Sequence, residues 1–233
     1  MTEDRHLAWE GCWNARDLGG LPLRDGGQTR WHTTVRMDSP QRLTAKAWQE
    51  IWDYGIRTVI DLRNSGEIRP DSRPAGITTV QVPLDSEKDP DFVLERGLDC
   101  TPLYYSPFLE RYPERVAEVF RAIAAAEPGG IVYHCAAGRD RTGIVTLVLL
   151  ALAGVEPEDI AADNTLSGPR LKPAWAELDL GDQSGAIDKL LAGHGTTVHN
   201  AALNVLTSFD AEKYLLNAGL TVQEIAVIRA RLV

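Results

Sequence analysis

Cysteine is scarce in this chain: three residues in 233, at Cys12, Cys100 and Cys135. That is too few for a disulfide scaffold, and the odd count leaves at least one thiol free, so a reducing compartment is expected. Basic charge is also in deficit. Lys and Arg number 24 against 33 Asp and Glu, a formal net charge of -9. Such a molecule is repelled at long range by nucleic acid and by anionic membrane surfaces, and neither is expected as a partner. An anionic small ligand is not excluded, because a site is governed by its local field. Long hydrophobic runs are missing too. The longest apolar stretch, Ile144 to Val155, is too short to cross a bilayer, and Met1 to Trp9 has no apolar signal core. The expected location is cytoplasmic. No repeat, low-complexity tract or dividing linker interrupts the sequence, which reads as a single domain over residues 1–233.

What is present is an ordinary globular composition, 44% hydrophobic and 24% charged. Leu18–Leu23 and Gln28–Val35 suggest a hairpin turning at Arg24-Asp25-Gly26-Gly27. Thr44 is placed to cap a helix running to about Tyr54. Thr58–Leu62 is a β-branched run typical of a buried strand, and Ile77–Pro83 a weaker one. Asp85–Pro113 is polar and irregular, read as loop with one short helix, and is where a lid over a site would lie. Glu114–Ala126 is a helix, and Ile131–His134 a strand. Cys135–Gly143 reads as a tight loop and Ile144–Leu152 as an apolar helix. Helices are also expected at Glu158–Leu166, Ala186–Ala192, within Ala201–Leu216, and at Val222–Leu232, the last with Thr221 and Glu224 in capping-box spacing. Strands alternating with helices predict an α/β fold with a mostly parallel central sheet flanked by helices and a helical C-terminal portion. In such sheets ligands sit at the carboxyl ends of the strands, where Cys135 falls.

The informative segment is His134-Cys135-Ala136-Ala137-Gly138-Arg139-Asp140-Arg141-Thr142-Gly143. A strand ends, the chain turns, and a helix begins, so successive backbone N–H groups can point inward at an anion with the helix N-terminus behind them. Ala136, Ala137 and Gly138 are small enough for close backbone approach, Arg139 adds charge, and Thr142 and Gly143 complete the cradle. Arg141 supplies a planar fork for two phosphate oxygens. A cysteine at a helix N-terminus beside arginine loses its proton more readily, which favours the nucleophilic thiolate at Cys135. Thr142 can donate a hydroxyl hydrogen bond to that sulfur, and His134 suits a supporting role. Six fixed residue types, at roughly one-in-twenty usage each, coincide by chance on the order of 10⁻⁸ per starting point, so accident is a poor account of the pattern.

The loop resembles the signature of cysteine-dependent phosphatases. More narrowly, the chain resembles the bacterial tyrosine-phosphatase-like family related to phosphoinositide phosphatases. That resemblance rests also on Asn14-Ala15-Arg16-Asp17-Leu18-Gly19-Gly20 and on Asp61-Leu62-Arg63 followed by Glu67. It departs at Ala15, usually aromatic, and at Arg139, usually lysine. It implies a protein-tyrosine-phosphatase-like fold, a phosphocysteine intermediate, a phosphorylated protein or small phosphomonoester as substrate, and no cofactor or metal. Asp85, after Val82-Pro83-Leu84, resembles the general-acid position of the wider superfamily, and Asp140 is the acid suspected in the bacterial family. Asp61 is a third candidate, read as mainly structural with Arg63. Asp140 is slightly preferred over Asp85, because the loop fixes its distance from the phosphate.

Other residues support less. His194 and His199 lack metal-site spacing, and the six tryptophans suit core or rim better than a nucleic-acid platform. Cys12 and Cys100 read as plain thiols, with a weaker option that one resolves an oxidised Cys135. Three rival functions remain open: a phosphoinositide phosphatase, a non-catalytic phosphate-binding module, and a sulfurtransferase, whose chemistry the Arg141-Thr142-Gly143 ending fits less well.

Overall fold

The computed structural model describes residues 4–85 and 101–233. Five strands form one sheet: β1 (Arg16–Asp17), β2 (Thr34–Met37), β3 (Ile56–Asp61), β4 (Thr78–Gln81) and β5 (Gly130–His134), in the order β1-β2-β5-β3-β4. The β2–β5, β5–β3 and β3–β4 pairs are parallel and only β1–β2 is antiparallel. The mostly parallel α/β sheet therefore forms as expected. β5 runs through its centre, and its carboxyl end lies between those of β2 and β3.

Alternation along the strands sorts side chains between two layers. Val132 faces one side with Val59, Val35 and Met37, and there it packs on α1 (Ala45–Asp53) through Trp48 and Ile51. Ile131 and Tyr133 face the other side with Ile60. That layer is the larger. It contains α2 (Tyr105–Arg111), α3 (Pro113–Ala125), α4 (Asp140–Ala153) and α10 (Val222–Leu232). Ten residues of α4 are buried around its whole circumference, which explains why its sequence is apolar on every face. Between α4 and α10 come α5 (Pro157–Thr165), α6 (Ser167–Glu177), α7 (Gln183–Gly193), α8 (Val198–Leu206) and α9 (Ala211–Asn217).

Caps read from the sequence form as drawn. Thr44 accepts from the Ala47 amide, and Thr221 and Glu224 close a reciprocal capping box. Other boundaries differ. The turn at residues 24–27 exists, with Pro22 and Gln28 as an isolated bridge and the Thr29 amide donating to the Leu21 carbonyl at 2.8 Å, but no extended strand pair forms there. The antiparallel strands instead lie further out, at Arg16–Asp17 and Thr34–Met37. Gly19 and Gly20 sit tightly against Trp31, so Leu18–Leu23 is a packed turn and not a strand. The helix expected from Ile144 begins at Asp140, so the loop after β5 is shorter than drawn and Arg141 sits in the first helical turn. Helix α6 was not foreseen, because Pro169 and Pro173 mask it. Pro169 falls in the first turn, where its missing N–H is not needed, and Pro173 is tolerated inside. The expected short helix in Asp85–Pro113 is α2, while residues 86–100, including Cys100 and most of the expected lid, lie outside the described residues.

Candidate active site

Parallel strands present their carboxyl ends along one edge, and the residues of interest gather there. Cys135 follows β5 directly. Asp61, Arg63 and Glu67 follow β3, whose pairing continues as the Leu62 amide donates to the His134 carbonyl at 2.9 Å. Asp85 follows β4, after the Val82 and Leu84 amides donate to the Asp61 and Leu62 carbonyls. Asp38 and Ser39 follow β2.

Cys135 is buried, 3% exposed, at the base of the loop. Gly138 lies in the left-handed region at φ +64, pressed against the backbone at Met37 and Asp38, where no side chain fits. Arg141 is drawn to the mouth of the loop by Glu67, which accepts from both guanidinium ends at 2.6 and 2.7 Å. Asp85 is a second partner, 3.2 Å from Arg141. Burial opposes the Arg141 charge, but the Glu67 hydrogen bonds and the nearby Cys135 and Asp85 charges outweigh it, and its pKa is raised. Burial pushes Glu67 up, yet the hydrogen bonds and charge of Arg141 win and hold it below the usual carboxylate range. Asp85 goes the other way. Burial raises it above the ordinary aspartate value, and the attraction of Arg141 only partly offsets this.

Asp140, the first residue of α4, accepts from Arg139 Nε at 3.1 and 3.3 Å. The buried Arg139 guanidinium lies 5.9 Å from the Trp175 ring centre on α6. A cavity of about 300 Å³ opens beside this pair, with Tyr105, Asn164, Lys172 and His199 in its walls. Asp61 accepts from Arg63 at 2.7 and 2.9 Å, while Arg63 donates to Ser39 at 2.8 Å. His134 hydrogen-bonds the Cys135 carbonyl through Nδ1 at 3.0 Å, and burial lowers its pKa to about 4, so at neutral pH it carries no charge. The Thr142 hydroxyl is buried without a hydrogen-bond partner among the described residues, which leaves its proton available to the loop sulfur or a ligand oxygen.

Cys12 is buried and donates to Asp38 at 2.7 Å. Burial and the Asp38 charge push its thiol up, which suits a plain thiol. Missing from the sequence reading was a buried charge cluster behind the loop. Asp163 of α5 receives Arg16, Arg36 and Arg5 at 2.9–3.0 Å. Burial alone would raise Asp163, but the arginines hold it far below the ordinary range. Burial also lowers Arg16 to about 10. Nothing local marks Asp163 or Arg36 as special. Arg16 had a signal, its place in the Asn14–Gly20 motif.

Cys135 at the end of β5, the start of α4 at Asp140 and Arg141 held by Glu67 thus gather at the carboxyl edge of an α/β sheet. The chain belongs to the tyrosine phosphatase family, whose model matches residues 7–233. A putative tyrosine-protein phosphatase of Cupriavidus necator is 34% identical over 179 residues, 72% of this chain and 66% of that protein. A tyrosine-protein phosphatase of Nostoc commune is 33% identical over 139 residues, 55% of this chain and 47% of that one. The triple specificity protein phosphatase PtpB of Mycobacterium tuberculosis is 27% identical, the match covering 72% of each chain. The matched stretch thus spans about two thirds of the Cupriavidus relative and about half of the Nostoc one.

Proposed function

We propose that this protein hydrolyses phosphomonoesters through a phosphocysteine at Cys135, with phosphotyrosine as the principal substrate and phosphoserine and phosphothreonine also accepted. The observation that carries the reading is the Arg141 clamp, fixed by Glu67 at 2.6 and 2.7 Å and close enough to Cys135 for their charges to interact. Such a fork, already oriented, gains most when three equatorial oxygens spread in the transition state. The Cys135 thiolate attacks phosphorus, the S–P bond forms, and the ester P–O bond breaks as an aspartic acid gives its proton to the leaving oxygen. Water, deprotonated by the same carboxylate, then cleaves the S–P bond and releases phosphate and thiolate. Asp85 is the better proton donor, because burial keeps it protonated to higher pH, whereas the Asp140 carboxylate is engaged by Arg139.

The breadth of substrate follows the Mycobacterium relative, named a triple specificity protein phosphatase. A phosphoinositide head group is less favoured, since Arg139 is committed to Asp140 and Trp175. The test is phosphate release from an aryl phosphate in chelator by wild type and Cys135→Ser. Turnover by wild type and none by the variant supports the reading. Activity surviving in the variant rejects the nucleophile. A wild type that binds vanadate but never turns over is a binding module.

A further inference from the structure

An anion cradle needs its amide N–H groups turned inward, so its carbonyls must turn outward and find donors in the protein behind it. Each carbonyl from Cys135 to Arg139 has such a donor: His134 Nδ1 for Cys135, the Ser39 amide for Ala136 at 2.9 Å, and the Tyr105 hydroxyl for Arg139 at 3.4 Å. The two in the middle share one. Asn14 Nδ2 donates to the Ala137 carbonyl at 3.1 Å and to the Gly138 carbonyl at 2.9 Å. Arg36 also donates to the Gly138 carbonyl, at 2.9 Å.

The Asn14 amide is not free to flip. Its Oδ1 accepts from Arg16 at 2.7 Å, and its backbone amide is held by Asp38 at 2.9 Å. Arg16 is held in turn by Asp163 and by the Ser167 hydroxyl at 3.1 Å. Arg36 closes the circuit, since it grips the same Asp163 at 3.0 Å. Arg16, Arg36, Asn14 and Asp163 are all fully or almost fully buried. Arg16 and Arg36 outnumber Asp163 in this cluster behind the loop, a positive excess of the sign that favours a bound dianion.

We infer that Asn14 is a positioning residue for the phosphate loop, which aims the loop amides by holding the Ala137 and Gly138 carbonyls outward, with Arg16, Arg36 and Asp163 as its anchor. The inference rests on the phosphatase reading of the loop. In the absence of the Asn14 donor the middle of the loop can rotate, and inward N–H groups are lost at the point where the oxyanion charge is greatest.

Asn14→Asp keeps the size of the side chain and removes the donor, and Asn14→Ala removes it without adding charge. Each is compared with wild type for vanadate affinity, for the pH dependence of Cys135 alkylation by iodoacetamide, and for kcat and KM, on protein shown to be folded by its melting transition. The expected result is vanadate binding weaker by on the order of tenfold. Alkylation shifts to higher pH, and kcat falls more than KM rises. Should Asn14→Asp not fold, Asn14→Ala and Arg36→Lys carry the test, the latter keeping charge while shortening the reach to Gly138. Unchanged vanadate affinity and alkylation profile in a folded variant, even one of lower melting temperature, overturns the inference and leaves the phosphatase reading intact. A wild type that neither binds vanadate nor turns over removes both.

Discussion

Asp85 and Asp140 are the two candidates for the proton donor, and at the scale of single residues their surroundings separate them. Asp85 is half-buried, 3.2 Å from Arg141, and titrates above an ordinary aspartate because partial burial disfavours its charge. Asp140 is bound by the neighbouring guanidinium of Arg139. A phenol such as tyrosine, with a pKa near ~10, leaves poorly as its anion, whereas p-nitrophenolate leaves well without help. Asp85→Asn should therefore lower kcat on phosphotyrosine by about 10²–10⁴ and on p-nitrophenyl phosphate much less. The sign of the pH effect follows from the role: the acid works only when protonated, so activity declines as pH rises through the Asp85 titration, and Asp85→Asn loses that limb. Asp140→Asn should keep it. The reverse pattern across the two substrates, Asp140 sensitive and Asp85 indifferent, would return the acid role to the loop aspartate.

At the scale of elements, the junction of β5 with α4 depends on a close approach that sequence alone does not reveal. A methyl group added at Gly143 would lie 3.0 Å from Tyr105 Cζ and closer still to its hydroxyl. Tyr105 cannot simply swing away, for it is fully buried and its hydroxyl joins Arg139 and Asn164. Alanine gains about 1 kcal/mol over glycine in a helix, but overpacking of a closed core costs about 1–3 kcal/mol. Gly143→Ala should thus be net destabilising in urea unfolding, and adding Tyr105→Phe, which removes the colliding hydroxyl, should recover part of the loss. A Gly143→Ala protein more stable than wild type would mean the junction is looser than drawn. This contact also shows where legibility ends. The strand, loop and helix around Cys135 could be read because small residues, a cysteine and an arginine have few reasons to stand at that spacing. The caps at Thr44 and Thr221 were local and equally plain. Helix α6 was hidden by its prolines, and the start of α4 by the poor helix formers Thr142 and Gly143. The Arg16–Arg36–Asp163 cluster joins residues 127 to 147 positions apart, and no local pattern encodes that.

At the scale of the whole molecule, buried titratable groups tie stability to pH in opposing directions. Asp163, Asp61 and Glu67 titrate below their ordinary values, so their contributions are complete above the normal carboxylate range and are lost in acid. Asp38 and Asp85 titrate above theirs, so their protonated forms favour the fold at low pH and that contribution fades as pH rises. His134 acts in the window between these ranges and neutrality, and His6, lowered by partial burial and by Arg170, acts there with the same sign. The folded His134 value near 4 lies below the ordinary 6.5, because burial excludes the cation despite Asp61 Oδ2 at 3.8 Å. Between those two values the unfolded chain binds a proton that the folded one refuses, so stability falls as pH drops from about 6.5 toward 4. The difference amounts to about 2–3 kcal/mol near the bottom of the window. The carboxylates blur this in wild type alone, so the measurement is a comparison. In His134→Asn the side-chain amide can still donate to the Cys135 carbonyl, but nothing titrates in this window at that position. Urea unfolding at several pH values between 7 and 4.5 should show wild type losing stability relative to His134→Asn as the pH is lowered. Parallel curves would mean that His134 takes up its proton inside the fold, and a charged imidazole beneath Cys135 would then have to be counted among the forces acting on the thiolate.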